Sequence, residues 1–434
     1  MTRRLQRPGP WGIVALAVVC ALAPGPAPAR PLVAPAAQAP AAVSPLGVER
    51  ATPAGADPAW KERLDALLEG KPAGVAVRID DAQAYAWAAR ARRVPASNQK
   101  LLAAMALLEE LGPDLDLPTR ALGPGLVDGI VPGDLYIAGE GDPSLASSGA
   151  YDAALPFDAT RLGTLADAIA LAGVERIEGR VMGAVSYFDH DWFAPGWRSY
   201  FPERYVALPS ALSIDGNRRN GEHIDDPELR LARKLTAKLR ARGIEVPHQA
   251  GAGPLPGGLT EIARISSPPL EALLRYSNRF SSNFFAEVFG KRLAVATGTS
   301  PGTIAGGAAA IEAYAARRGV TLKAYDSSGL SYSNRVSPKG LAELIDLAEE
   351  EPWGALLRRT LPRGGQGTLA DRFEKVRVRA KTGTLSGIST LSGWVWLKQR
   401  KAWASFSIMS SGMSKTEAIS LEDAVVRLLA NRAG

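Results

Sequence analysis

Between residues 119 and 264 the chain stops reading as helices and becomes short β-like pieces broken by Gly and Pro. Helical spacing dominates on either side, at 97–111 before this stretch and at 268–277, 283–296, 302–318 and 337–349 after it. Apolar residues recur about every 3.6 positions on a helix and every second position on a strand, so the two textures bury different faces and belong to different packing units. With 434 residues the chain also exceeds what one core usually fills. The simplest parse is one domain, 58–118 and 265–434, split by an inserted β-rich domain over 119–264. Pattern alone predicts a mixed α and β protein of more than one domain.

A helix beginning at Pro58 stops at Gly70, and strands at 74–79 and 84–89 flank a polar turn at Asp80 and Asp81. Pro95-Ala96-Ser97 opens an apolar helix that Gly112-Pro113 ends. Inside the insert, helices are expected near 159–173 and 226–243. The chain closes with a strand pair, 391–397 and 402–410, and a helix over 415–431.

The N-terminus reads as an address. Arg3, Arg4 and Arg7 precede an apolar run at 11–23, and Ala27-Pro28-Ala29 offers small residues for cleavage, so 1–29 is expected to be a signal peptide. The run has 13 residues, short of the roughly 20 that span a bilayer as a helix. The alternatives are an uncleaved anchor and lipid attachment at Cys20, although Val18 and Val19 are bulkier than a lipidation signal favours. Residues 30–57, dominated by Ala and Pro, read as an extended linker. The expected location is exported, periplasmic or otherwise extracytoplasmic, peripheral to a membrane at most. Cys20 is the one cysteine, so the mature chain would have neither a disulfide framework nor a thiol nucleophile. The formal charge of +7 falls to about +4 without the three leader arginines, too small an excess to argue for nucleic acid. Hydrophobic content of 46% with 22% charged residues argues against a disordered or membrane-embedded chain.

A histidine-based triad needs a histidine beside its nucleophile. His190, His223 and His248 all fall in the insert, none beside a serine at a helix start, and read as structural or surface residues. Lysine is the other available base. Of thirteen lysines only Lys100 has a serine three positions before it. Ser97-Asn98-Gln99-Lys100 lies at the mouth of a helix, where positions i and i+3 share a face. The helix N-terminus favours an alkoxide and a neutral amine, and the apolar helix supplies the burial that lowers a lysine pKa. Alone, this pair also reads as a capped helix with an incidental lysine. Ser281-Ser282-Asn283 between two helical segments reads as a capping turn. Lys381-Thr382-Gly383-Thr384, after the alternating stretch 376–380, reads as a strand end with a glycine that admits close backbone approach. Together, Ser-x-x-Lys, Ser-x-Asn and Lys-Thr-Gly in this order form a recognised serine acyl-transfer signature.

With Pro95-Ala-Ser-Asn-Gln-Lys100, Gly133-Asp-Leu-Tyr-Ile-Ala-Gly-Glu-Gly-Asp-Pro-Ser144, Asp326-Ser-Ser-Gly-Leu-Ser331, Leu361-Pro-Arg-Gly-Gly-Gln-Gly-Thr368 and Lys381-Thr-Gly-Thr-Leu385, the chain resembles the class C low-molecular-mass penicillin-binding proteins. These are the D-alanyl-D-alanine carboxypeptidases and endopeptidases of peptidoglycan. The resemblance runs from about residue 60 to the C-terminus. That family inserts extra domains between its first two motifs, in keeping with the 184 residues between Ser97 and Ser281.

The resemblance implies an α+β, penicillin-recognising serine transpeptidase/β-lactamase-like fold: an antiparallel sheet of about five strands flanked by helices, beside a helical subdomain carrying the Ser97 helix. It implies cleavage of D-Ala–D-Ala stem peptides through a Ser97 acyl-enzyme, and covalent inhibition by β-lactams. Lys100 would take the Ser97 proton, and the backbone N–H groups of Ser97 and Thr384 would hold the oxyanion. Ser281 would relay a proton to the leaving amine, with Asn283 on the substrate amide and Lys100. Thr382, Gly383 and Thr384 would line the substrate, while Lys381 and Thr384 bind its carboxylate and Lys381 depresses the pKa of Lys100. No metal or cofactor is implied. A β-lactamase or esterase on the same fold is the alternative.

Two departures stand out. Tyr332 occupies the position where the family usually has an arginine, which leaves the side-chain preference open, and the insert is shorter than in fuller relatives. Within it, Trp197 and Tyr200 either lean over the cleft or, by the preferred reading, belong to the insert's own core.

Overall fold

The computed structural model describes residues 59–147 and 149–433. The expected signal peptide (1–29) and linker (30–57) lie outside them.

Five antiparallel strands lie in the order Val378–Leu385, Ile388–Leu397, Ala402–Ser411, Ala73–Ile79 and Ala82–Trp87. Val75 pairs with Ile408 and Val77 with Phe406, so N-terminal and C-terminal strands share one sheet. Alternation carries these four residues into one core, where Val425 and Leu429 of the helix Lys415–Arg432 join them. That helix starts at a capping box in which Ser414 and Glu417 satisfy each other's free N–H groups.

Trp394 and Met409 of the same sheet join a second core. It is filled by Leu101, Leu102 and Met105 of the helix Gln99–Leu111, by Phe285 and Phe289 of Asn283–Ala296, and by Leu341 and Leu344 of Pro338–Glu350. Burying a side chain of this size stabilises the fold by about 1.5–3 kcal/mol. Helix starts match local chemistry: Ser282, Thr303 and Ser337 each accept a first-turn backbone N–H.

A second five-stranded sheet uses residues 119–265, the middle stretch and the residue after it, in the order Gly251–Gly253, Val181–Ala184, Leu135–Gly139, Thr119–Gly123 and Thr260–Ile265. Its ladder is mixed. Thr119–Gly123 runs antiparallel to both neighbours, whereas Leu135–Gly139, Val181–Ala184 and Gly251–Gly253 pair in parallel. Parallel neighbours need crossovers, and the helices Leu162–Leu171 and Pro227–Arg240 provide them. Leu165, Ile169, Leu231 and Leu235 from these helices pack with Ile137 and Val181 of the sheet.

From this region the segment 192–206 crosses to the catalytic loops. Trp197 and Phe201 pack with Ile304 and Leu330, and Tyr332 rests against the same cluster. The preferred expectation for Trp197 is therefore corrected: its indole is buried against the Asp326 loop, not in the core of the second sheet. Tyr200 stays partly exposed, edge-on to Phe201.

Candidate active site

Ser97 lies on a single 3-10 turn, Ala96–Asn98, that runs into the helix Gln99–Leu111. Ala96 is held at φ +46°, a conformation that costs free energy without glycine and persists where surroundings enforce it. Those surroundings are visible. Asn98 Nδ2 donates to Ser392 Oγ at 2.8 Å, Thr390 Oγ1 to the Pro95 carbonyl at 2.9 Å, and Gln99 Nε2 to the Asp326 carbonyl at 3.1 Å. The turn is thus pinned to the sheet on one side and to the Asp326 loop on the other.

Lys100 follows on the first helical turn and is 2% exposed. Its Nζ stands 3.2 Å from Ser97 Oγ, 2.7 Å from Asn283 Oδ1 and 2.5 Å from the Ser328 carbonyl oxygen. A neutral amine has two N–H groups and one lone pair. The Asn283 and Ser328 oxygens are acceptors without a proton, so they take the two N–H groups and leave the lone pair facing the Ser97 hydroxyl. The Asn283 amide is oriented by its other end, where Nδ2 donates to the Tyr205 carbonyl at 3.0 Å.

Burial lowers the Lys100 pKa to about 7, against the opposing pull of Asp326 and Glu287. The burial expected of the apolar helix is the main cause, whereas the added like-charge contribution expected from Lys381 does not figure in the shift. Lys381 is itself pushed well down, by burial first and then by the charge of Lys100. Its Nζ donates to Ser281 Oγ at 2.9 Å and to the Thr382 carbonyl at 2.8 Å. No carboxylate among the described residues pairs with it, so an arriving carboxylate would supply its missing counter-charge.

Ser281 sits at φ +55° between the helices Leu270–Arg279 and Asn283–Ala296. This left-handed residue turns the chain so that Ser281 meets Lys381 while Asn283 meets Lys100. The two motifs are thereby stitched into one line: Ser97, Lys100 and Asn283 on one flank, Ser281 and Lys381 on the other.

The strand Val378–Leu385 is an edge strand. Ala380 N donates to the Pro362 carbonyl, away from its strand partner. Backbone groups alternate in direction every residue, so the N–H groups of Thr382 and Thr384 point off the same free edge. Gly383 lies directly against the nucleophile's turn: a Cβ there would stand 2.9 Å from Ser97 N and 2.2 Å from Thr390 Oγ1. The absent side chain is what lets this strand approach the Ser97 N–H, as an oxyanion site built from two segments requires.

Sequence reasoning assigned no role to two buried carboxylates. Asp326 accepts from the backbone N–H groups of Gly329 and Ser331, from Asn334 Nδ2 and from Trp197 Nε1. Glu287 accepts from Ser327 N and Ser328 N, and burial raises its pKa to about 7. Together they shape the loop whose Ser328 carbonyl holds Lys100. Asp326 lies inside the motif Asp326-Ser-Ser-Gly-Leu-Ser331, but Glu287 gives no signal: four positions after Asn283, it reads as an ordinary helix-surface residue. The histidines stand apart from this site; His190 Nε2 meets Glu228 at 3.2 Å and His223 stacks on Trp192.

The family model for D-Ala-D-Ala carboxypeptidase 3 (S13) matches residues 61–223 and 219–432. A D-alanyl-D-alanine carboxypeptidase of Actinomadura sp. is 26% identical over 86% of this chain and 85% of its own length. A carboxypeptidase of Mycobacterium tuberculosis is 30% identical over 69% of this chain and 67% of its own. Among solved structures, penicillin binding protein 4 from Haemophilus influenzae superposes with a TM-score of 0.72 at 19% identity, covering 85% of this chain and 99% of that one; at that identity the likeness bears on the fold, which is the penicillin-recognising one. The chain belongs to the D-Ala-D-Ala carboxypeptidase 3 (S13) family.

Proposed function

We propose that this serine-type D-alanyl-D-alanine peptidase cleaves peptidoglycan stem peptides through an acyl-enzyme on Ser97, with Lys100 as its base. The observation that carries the residue assignment is the Lys100 amine, whose two acceptor contacts leave its lone pair on Ser97 Oγ. As Ser97 Oγ attacks the D-Ala carbonyl, Lys100 takes its proton, and the N–H groups of Ser97 and Thr384 receive the oxyanion. Ser281, in contact with Lys381, hands its proton to the leaving amine, and the proton that Lys100 took from Ser97 replaces it. Lys381 and Thr384 take the terminal carboxylate, flanked by Thr382 and Gly383, and water then releases the acyl group. Penicillin acylates the same serine and leaves slowly, because its leaving group stays tethered. An exported, cell-wall location fits this substrate and the leader-like residues 1–29.

The test is labelled penicillin. Stable label on the wild-type chain and none on Ser97→Ala supports the assignment; undiminished label on the variant overturns it. Digestion of purified muropeptides then separates the two peptidase activities, since released D-Ala marks a carboxypeptidase and loss of cross-linked dimers marks an endopeptidase.

A further inference from the structure

At the start of the Lys381 strand, away from the nucleophile, lies a cavity of about 760 Å³ whose thirteen lining residues include six cations. They arrive from three separate segments. Arg358 and Arg359 stand on the helix Gly354–Thr360, Arg363 on the glycine loop that follows, and Lys375, Arg377 and Arg379 on the chain entering the strand. The loop is fixed to the strand by the Arg363–Arg379 bridge and by the bond from Ala380 N to the Pro362 carbonyl. Gly364 allows this approach, since a Cβ there would stand 2.0 Å from the Phe373 carbonyl oxygen.

Charge in the cavity is far from balanced. Glu374 is the one carboxylate in the lining. Just outside it, Glu349 engages Arg358, and Glu271 is shared between Arg275 and Arg359. Among the described residues, no carboxylate pairs with Arg363, Lys375, Arg377 or Arg379. Arg377 instead lies over Trp396 at 4.0 Å and Trp403 at 4.8 Å, and Arg358 lies over Trp403 at 4.9 Å. Stacking fixes both guanidinium planes and leaves the N–H edge of Arg377, which no carboxylate takes, available to a ligand. Burial, and after it the charges of Arg363, Arg275, Arg358 and Arg359, lower the Arg379 pKa. The arginines repel one another, and a multiply charged anion would relieve this.

We propose that this cavity is a binding site for a phosphate-bearing anion, separate from the peptidase cleft. Three convergent segments of arginine forks suit a group that offers three oxygens and close to two negative charges better than a single carboxylate, which offers two oxygens and one charge. The recessed walls suit a free phosphate group or a linear phosphate polymer more than a flat membrane surface. The site would hold the enzyme on an anionic phosphate polymer while the cleft works on peptides.

The experiment titrates inorganic tripolyphosphate into the purified chain by calorimetry, beside citrate as a tricarboxylate control. Arg363→Gln/Arg377→Gln removes two forks that no carboxylate neutralises; Arg233→Gln/Lys415→Gln removes the same charge from distant exposed positions. Losing two charge-assisted contacts is expected to weaken tripolyphosphate binding by about tenfold or more, the control variant binding as wild type does. Penicillin labelling of Ser97 should be equal in all three proteins, which keeps this test independent of the peptidase assignment. Poly(glycerol phosphate) competing with tripolyphosphate would support a polymer as the natural source. Absence of binding, or binding that both double variants weaken equally, overturns the site. Equal affinity for citrate overturns the phosphate assignment, and binding to phosphatidylglycerol vesicles without tripolyphosphate binding does the same.

Discussion

The indole N–H of Trp197 donates to the buried carboxylate of Asp326 at 2.7 Å. One residue comes from the segment that leaves the second sheet, the other from the loop that holds the catalytic lysine. Because Asp326 also gathers the N–H groups of Gly329 and Ser331, this contact ties the middle of the chain to the position of the Ser328 carbonyl on Lys100.

Trp197→Phe should therefore do more than create a small void. It leaves Asp326 short of one donor in a buried site, which typically costs about 1–3 kcal/mol. The expected result is a lower melting temperature together with slower penicillin acylation. Tyr200→Ala, three residues on and partly exposed, should alter stability by no more than about 0.5 kcal/mol. Thermal unfolding and labelling rates of the two variants check the contrast; equal effects would count against the tie.

A base must be neutral to act, so acylation should rise with pH through the Lys100 pKa near 7 and level off above it. Glu287 opposes the lowering of that pKa. Glu287→Gln removes its charge while keeping an acceptor, so the rising limb should move to lower pH. The stability consequence follows from the same shift. Lys100 is protonated in both folded and unfolded chains below pH 7, where burial of the charge is most costly; the folded chain then holds fewer protons than the unfolded one up to the ordinary lysine range, and stability rises with pH across that window. Lys100→Met should lose acylation by about 10²-fold or more yet gain relative stability most at acidic pH. Rate profiles and melting curves from pH 5 to about 9 test both signs.

Much of this was legible in the chain. Ser97, Lys100, Ser281, Asn283 and Lys381 announce themselves by residue type and local spacing, and the helix starting at Asn283 by its serine cap. The parts that were not legible depend on contacts between distant segments. Nothing local distinguishes Glu287 from a surface glutamate, because its role is set by a loop forty residues later. Trp197 looked like core for a similar reason: an apolar residue in a β-like stretch says that it will be buried, not against which partner. Burial and like charge are both legible as possible causes of the Lys100 shift, but their balance is not, because the degree of burial depends on distant segments.

Gly383→Ala probes the contact between the strand and the nucleophile's turn. The added methyl would meet Thr390 Oγ1, the Pro95 carbonyl and Ser97 N within 3 Å, pushing the strand off the turn. Displacing an oxyanion donor in this way should slow acylation by about 10²–10³-fold. The fold should persist, since the strand keeps its full ladder with Ile388–Leu397. A variant that stays folded by circular dichroism and still acylates at the wild-type rate would remove Gly383 from the oxyanion argument.

Asn283→Asp offers the mirror image of Glu287→Gln. Its Oδ1 is 2.7 Å from Lys100 Nζ and its Nδ2 donates to the Tyr205 carbonyl. A carboxylate in its place sets a negative charge beside the amine and removes the donor to Tyr205. The charge favours the ammonium form, so the Lys100 pKa should rise and the rising limb of acylation should move to higher pH. At pH 7 the rate should fall, and raising the pH should recover part of it. The part not recovered measures the lost orientation by Tyr205. Were the profile unmoved, the base acting on Ser97 would have to be a group other than Lys100.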